Sequence, residues 1–216
     1  MKCYNLTVVS DKNSWINDYI PRLHKEFIDC GQKVKWVHDV SEINNGDIAF
    51  YLSCEQLVPN TILDKNKHNI VVHGSKLPKG KGWSPMTWQI IEGENEITMS
   101  LFEAIERVDS GKIYLQEVIN FDGSELIDEL REIQGKSTID LCIKFIKEYP
   151  EIIDLGIDQS GDSSFYPKRR PQDSELDISQ SIGDQFNLLR VVDNKKYPAF
   201  FKHKGETYVL KIEKRK

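Results

Sequence analysis

Short apolar runs alternate with helically spaced apolar positions along the first 120 residues. Leu6-Thr-Val-Val9 is rich in β-branched residues and predicts a buried strand. Behind it Ile16, Tyr19, Ile20, Leu23 and Phe27 recur at helical spacing. Ser14 is placed to cap that helix, Gly31 to end it, and Pro21 to make its first turns irregular. Val34–Val37, Ile48–Leu52 and Asn69–Val72 predict strands two to four. A helix over Trp83–Glu92, stopping at Gly93, precedes strands over Ile97–Leu101 and Ile113–Ile119. Such alternation predicts an α/β fold with a doubly wound, mostly parallel sheet.

The second half has a different texture. Leu126, Ile127, Leu130 and Ile133, then Ile139, Ile143, Phe145 and Ile146, predict a long helical stretch from Ser124 to Leu155 that Gly135 divides. Residues 156–175 are dominated by Gly, Ser, Asp, Pro and Arg and predict a connecting loop. One helix over Ile178–Val192 and a hairpin pairing Tyr197–Phe201 with Thr207–Ile212 around Gly205 complete the chain. The organisation expected is a catalytic unit over 1–155 and a small C-terminal helix and β-hairpin appendage over 156–216, packed on the core.

Composition narrows the function classes. With 39% hydrophobic and 29% charged residues, the 216-residue chain reads as an ordinary soluble globule. No apolar stretch approaches a membrane span and the N-terminus lacks an apolar signal core, so a cytoplasmic protein without a membrane partner is expected. The four cysteines (Cys3, Cys30, Cys54, Cys142) form no Cys-x-x-Cys, which argues against a zinc or redox-dithiol site. A net charge of −5 disfavours non-specific nucleic-acid binding. Strand one runs into Ser10-Asp-Lys-Asn-Ser14, with no Gly-x-Gly-x-x-Gly, so dinucleotide and P-loop chemistry are poorly supported.

The chemistry concentrates after strand four. His73 ends that strand and opens His73-Gly-Ser-Lys-Leu-Pro-Lys-Gly-Lys-Gly-Trp-Ser-Pro85, and Asp109 follows in Val108-Asp-Ser-Gly111. A strand running into a Gly/Pro-punctuated loop presents a side chain at the carboxyl edge of an α/β sheet, and a carboxylate on a second loop suits orientation of an imidazole. His-x-Ser-x-Leu-Pro, the Gly-Lys-Gly turn, Trp83-Ser-Pro85, Trp88-Gln-Ile-Ile-Glu-Gly93 and Asp109-Ser-Gly111 together resemble the central motif of the folate-dependent formyltransferases, over roughly residues 48–120. The resemblance implies the Rossmann-like formyltransferase fold, 10-formyltetrahydrofolate as co-substrate and no metal. It also implies a catalytic role for His73 and Asp109 and a folate site at Tyr51, Leu52, Ser53, Glu106, Val108 and Asp109.

One position departs from that motif: relatives carry asparagine two residues before the histidine, and here Val71 stands there. Asn69 points to the same strand face but starts about 13 Å from His73 at 3.3 Å per residue. Asn69 brought forward by a bulge is the first choice for the missing oxyanion donor, ahead of the Gly74-Ser75 backbone or the Ser75 hydroxyl.

A second resemblance lies further on. Phe165-Tyr-Pro-Lys-Arg-Arg-Pro171-Gln-Asp173, Asn187-Leu-Leu-Arg190 and Tyr197-Pro-Ala-Phe200 resemble the signature of formyltransferases acting on nucleotide-linked amino sugars. It implies such a sugar as substrate, dideoxy-amino-hexose or nonulosonic acid precursor, bound through Ser75, Lys76, Lys81, Arg169, Arg170, Asn187 and Arg190. A homodimer is compatible with it. Arginine suits phosphate groups, whereas Arg169, Arg170 and Arg190 paired with Asp173, Glu175 and Asp177 would be a structural clamp. Trp83 and Trp88 suit either a ligand wall or a core. Action on methionyl-tRNA or glycinamide ribonucleotide, and a non-catalytic sugar- or folate-binding relative, are the alternatives.

Overall fold

The computed structural model describes residues 2–215. In chain order the elements are β1 (Asn5–Val9), α1 (Ile20–Asp29), β2 (Lys33–Val37), β3 (Gly46–Tyr51), α2 (Asn60–Leu63), β4 (Asn66–His73), β5 (Lys81–Gly82), α3 (Pro85–Ile91), β6 (Glu96–Glu103), β7 (Ile113–Asn120), α4 (Ile127–Glu148), β8 (Phe165–Tyr166), α5 (Phe186–Arg190), β9 (Ala199–His203) and β10 (Glu206–Leu210). Six strands form one sheet in the order β2-β1-β3-β4-β6-β7.

The pairings β1–β2, β1–β3 and β3–β4 are parallel, whereas β6 runs antiparallel to both β4 and β7. The reversal follows from the connection. Seven-residue α3 spans about 10 Å at 1.5 Å per residue, well short of the roughly 26 Å of an eight-residue strand. The chain therefore re-enters the sheet near the edge where β4 left it.

Several local details differ from the pattern-based expectation. A 3-10 turn, Trp15–Asp18, precedes α1, and Pro21 falls in the first turn of α1, where its missing N–H is harmless. Ser14 does not cap a helix: its hydroxyl donates to the Ser53 carbonyl at 3.1 Å. Gly135 does not divide α4, which runs unbroken for 22 residues. A Cβ at Gly135 would lie 2.8 Å from the Tyr19 ring, so the glycine serves close approach. The helix expected over Ile178–Val192 shrinks to α5. Asp177, Ser179, Ser181 and Asp184 bond locally in a series of turns and compete with the helix.

The larger core lies on one sheet face, where Val8, Phe50, Ile70 and Leu101 meet Phe27 of α1 and Ile139 and Phe145 of α4. The opposite face is thinly covered. Val9, Val37, Ala49, Tyr51 and Leu63 form a small cluster there, fringed by half-buried Cys54, Val58, Val71 and Ala104. Leu176, Leu189, Val192 and Ala199 make a third cluster beneath the β9–β10 hairpin. That hairpin turns on Lys204 and Gly205, both at positive φ, the two-residue geometry suited to strand twist. Among the described residues no helix is long and apolar enough to cross a membrane.

Candidate active site

Alternation along β4 puts Asn69, Val71 and His73 on the thinly covered face. The register to β6 is continuous from Ile70↔Glu103 to His73↔Ser100, so the bulge expected to bring Asn69 forward does not form. Asn69 is already occupied. Its side chain donates to Leu63 O (3.0 Å) and accepts the Tyr51 hydroxyl (3.1 Å), and its backbone N–H donates to Glu103 Oε1. The structure does not bring it to His73.

His73 is buried at 9% exposure and donates from Nε2 to the Gly80 carbonyl at 2.9 Å. A carbonyl only accepts, so the proton of the neutral ring sits on Nε2 and Nδ1 is the acceptor. Asp109 contacts a neighbouring point of the same loop: its Oδ2 accepts the Gly82 N–H at 2.8 Å. No hydrogen bond joins Asp109 to His73. The expectation that this carboxylate orients the imidazole directly is corrected: Gly80 does that, and His73 and Asp109 meet through Gly80-Lys81-Gly82.

This loop needs its glycines. Gly80 (φ +69) would place a Cβ 2.8 Å from Ser75 Cβ, and Gly82 (φ +95) one 2.4 Å from the Tyr166 carbonyl. Ser75 is 1% exposed, and its hydroxyl has no partner although its carbonyl accepts the Ser100 hydroxyl, itself held by Gln116. Lys81 donates to the Ser110 hydroxyl at 2.8 Å, and burial, helped by Arg107, holds its ammonium below the ordinary lysine range. Lys76 is exposed. Ser53, Ser84 and Asp109 all take positive φ, a strain of about 1–3 kcal/mol each that clusters at functional loops.

The residues expected to hold folate lie at the carboxyl end of β3 and on the loop between β6 and β7. Tyr51 and Leu52 are buried; burial raises the Tyr51 phenol pKa, and the Leu52 N–H goes to Val9 O. Ser53, Glu106 and Val108 are exposed there.

The sugar-binding set splits in two. Arg169 lies over the Trp88 ring (6.0 Å), donates to Asp173 O and Ser174 Oγ, and keeps its Nε buried and unpaired; burial lowers its pKa. Lys168 sits 4.5 Å over Trp83, and Trp88 stacks on Tyr166 at 11°. Both tryptophans thus face the 165–169 segment, with exposed Arg170 beside it. Asn187 instead lies by Gly93, and Arg190 is fully buried, donating to Asn95 Oδ1 at 2.9 Å with Glu125 at 3.9 Å. Its Nε and Nη1 are buried without partners, and its bond to Asn95 fastens α5 to the start of β6.

Pattern reading missed Gln159 and Ser164. Gln159 donates to the carbonyls of Asp109 and Gly111, and the Ser164 hydroxyl and carbonyl accept the N–H groups of Gly80 and Lys81. Two-residue strands carry no periodicity, so the β5–β8 pairing left no signal in the sequence.

Methionyl-tRNA formyltransferase of Thermodesulfovibrio yellowstonii is 26% identical over 179 residues, covering 79% of this chain and 58% of that protein. The chain spans roughly half the length, or less, of the curated relatives it matches. Among solved structures, methionyl-tRNA formyltransferase from Clostridium thermocellum superposes with a TM-score of 0.82 at 19% identity, over 98% of this chain and 93% of that one. A sugar N-formyltransferase from a Shewanella species gives 0.67 at 14% identity, over 98% of both. These superpositions establish the fold. Residues 7–136 match the formyl transferase family model, well over half of the chain, and the chain therefore belongs to the formyl transferase family.

Proposed function

We propose that the chain transfers a formyl group from 10-formyltetrahydrofolate to the amine of a nucleotide-linked amino sugar. One observation carries the reading: His73 and Asp109 grip the same Gly80–Gly82 segment, and that segment pairs with Phe165–Tyr166, which open the aromatic and cationic stretch 165–170. Half-buried Cys54, Val58, Val71 and Ala104 offer an apolar floor for a flat ring system, with Leu57, Ile105 and Val108 exposed on the flanking loops. The unpaired Ser75 hydroxyl is a buried polar atom awaiting an acceptor.

The donor supplies a formyl carbon attached to a nitrogen leaving group. With Nε2–H held by Gly80, His73 Nδ1 accepts the proton that the attacking amine loses and returns it to the folate nitrogen as the bond between that nitrogen and the formyl carbon breaks, which releases tetrahydrofolate and the formylated amine. Asp109 keeps Oδ2 on the Gly82 N–H, leaving Oδ1 to align the amine. The Ser75 hydroxyl, in place of the amide Val71 cannot supply, donates to the charge developing on the formyl oxygen. Lys168 and Arg169, backed by Trp83 and Trp88, suit the phosphates and base of the nucleotide.

A second reading, formylation of methionyl-tRNA, is favoured by the likeness to those enzymes. The net charge of −5 weighs against a polyanionic substrate. The test is incubation with 10-formyltetrahydrofolate and a panel of nucleotide-linked 3-amino and 4-amino dideoxyhexoses, read by mass spectrometry. Gain of one formyl group on a sugar supports the proposal. Formylation of methionyl-tRNA or glycinamide ribonucleotide instead, or folate binding with no transfer, overturns it.

A further inference from the structure

The strap over residues 159–166 lies outside residues 7–136, the stretch matching the family model, yet it touches both loops of the site. Its contacts fall on backbone groups that hold His73 and Asp109. Ser164 grips two successive peptide units, the ones on either side of Gly80, with one atom each. Its hydroxyl accepts the Gly80 N–H at 2.9 Å, and its carbonyl accepts the Lys81 N–H at 3.0 Å. The Lys81 N–H and the Gly80 carbonyl belong to the same peptide plane, and in a trans peptide they point in opposite directions. That plane is therefore strung between Ser164 on one side and His73 Nε2 on the other.

Gln159 works on the second loop. Its Nε2 donates to Asp109 O at 3.1 Å and Gly111 O at 2.9 Å, so it holds the backbone that starts at the residue whose carboxylate takes the Gly82 N–H. Asp109 sits at φ +50, a conformation a non-glycine residue keeps only when its surroundings impose it.

We infer that Ser164 and Gln159 are positioning residues: Ser164 fixes the protonated nitrogen of His73 by holding the two peptides that flank Gly80, its hydroxyl the Lys79–Gly80 peptide and its carbonyl the Gly80–Lys81 peptide, and Gln159 fixes the backbone that aims Asp109. Neither touches the reacting atoms. The inference rests on the proposed formyl transfer for its kinetic consequence but not for its spectroscopic one.

The test is NMR of the full-length protein, following solvent exchange of the His73 Nε2–H proton. In the wild type this proton and the Gly80 and Lys81 amide protons should exchange together, because the two Ser164 bonds and the His73 bond all converge on Gly80. Independent exchange overturns the inference with no variant needed. In Ser164→Ala, His73 Nε2–H exchange should quicken by about tenfold, the factor carried by one lost hydrogen bond, with α4 amide protection unchanged. Ser164→Thr keeps the hydroxyl and should restore wild-type exchange. An unchanged rate in Ser164→Ala, or a Thr variant exchanging as fast as the Ala one, refutes the role. Gln159→Leu should leave the His73 proton protected while shifting the Asp109–Gly111 amide resonances; unshifted resonances refute that half. In formyl-transfer assays Ser164→Ala should lower kcat and leave KM for the formyl donor unchanged, and a raised KM with intact kcat counts against positioning. If the wild type formylates no amine, the proposed function fails while the exchange result still decides the inference.

Discussion

Gly111→Ala is the sharpest available probe of the Asp109 loop. A Cβ built at Gly111 lies 1.9 Å from the Glu103 carbonyl oxygen and 2.8 Å from the Glu103 carbonyl carbon. Both are backbone atoms at the end of β6, where Glu103 N–H also donates to Lys112 O, so no side-chain rotation relieves the clash. Reaching even 3.0 Å requires a shift of more than about 1 Å between loop and strand. Such overpacking typically costs about 1–3 kcal/mol. Displacing Gly111 also loosens the Gln159 bond to its carbonyl, about 0.5–1.5 kcal/mol. We expect a loss of roughly 2–4 kcal/mol, read as a lower urea midpoint at unchanged slope. Since Asp109 stands two residues away, a 1 Å shift should also lower formyl transfer about a hundredfold. Gly183→Ala is the control: its Cβ would meet only Ser181 Oγ at 3.6 Å, so stability should hold within about 0.5 kcal/mol. Should Gly111→Ala match that control in denaturant, the close approach of loop and strand would be wrong.

Other expectations follow from the same geometry. His73→Ala and Asp109→Ala should each reduce formyl transfer by about 10² to 10⁴ with unchanged circular dichroism; turnover like wild type would remove them from the chemistry. Ser75→Ala should lower kcat about tenfold or more, whereas Asn69→Ala should lower the unfolding free energy by about 1–3 kcal/mol, read from the urea midpoint, with much smaller loss of kcat; the reverse pattern would return the donor role to Asn69. The Lys67 ammonium and the Asn5 N–H hold the Asp47 carboxyl below its ordinary range. A depressed carboxylate stabilises the fold above its unfolded pKa, and that stability is lost as pH falls through the folded pKa. Asp47→Asn should therefore weaken the protein at pH 7 and make little difference in strong acid; an equal deficit in strong acid would refute the linkage.

Much of the fold was legible because buried strands concentrate β-branched residues. Leu6–Val9, Ile48–Leu52 and Asn69–Val72 each mark a real strand, and the glycine-punctuated loop after His73 marked the segment that His73 and Asp109 both contact. Strand direction was not legible, since alternation is the same either way along the chain; the reversal of β6 depends on how far α3 can carry it. Ile178 and Ile182 keep helical spacing yet stay exposed, because the Asp and Ser side chains around them satisfy backbone groups in turns. Gly135 looked like a helix breaker, and its reason, the Tyr19 ring, lies 116 residues earlier. Arg190 looked like a ligand group because its charge suggested the surface; only packing reveals that Asn95 and Glu125 enclose it.

The bond between Gly80 and Ser164 closes 84 residues of chain. Contacts that distant are paid in loop-closure entropy before they return anything, so they form late, after the sheet and α4 have condensed. A nascent chain halted after α4 should hold a folded sheet with its two site loops still unpinned. The sequence of events runs backward on opening. The strap is exposed along most of 158–165 and is the part that detaches at least expense, ahead of any core strand. Warming or mild denaturant should therefore abolish activity while the sheet remains protected from hydrogen exchange, so that inactivation precedes the exposure of aggregation-prone strands.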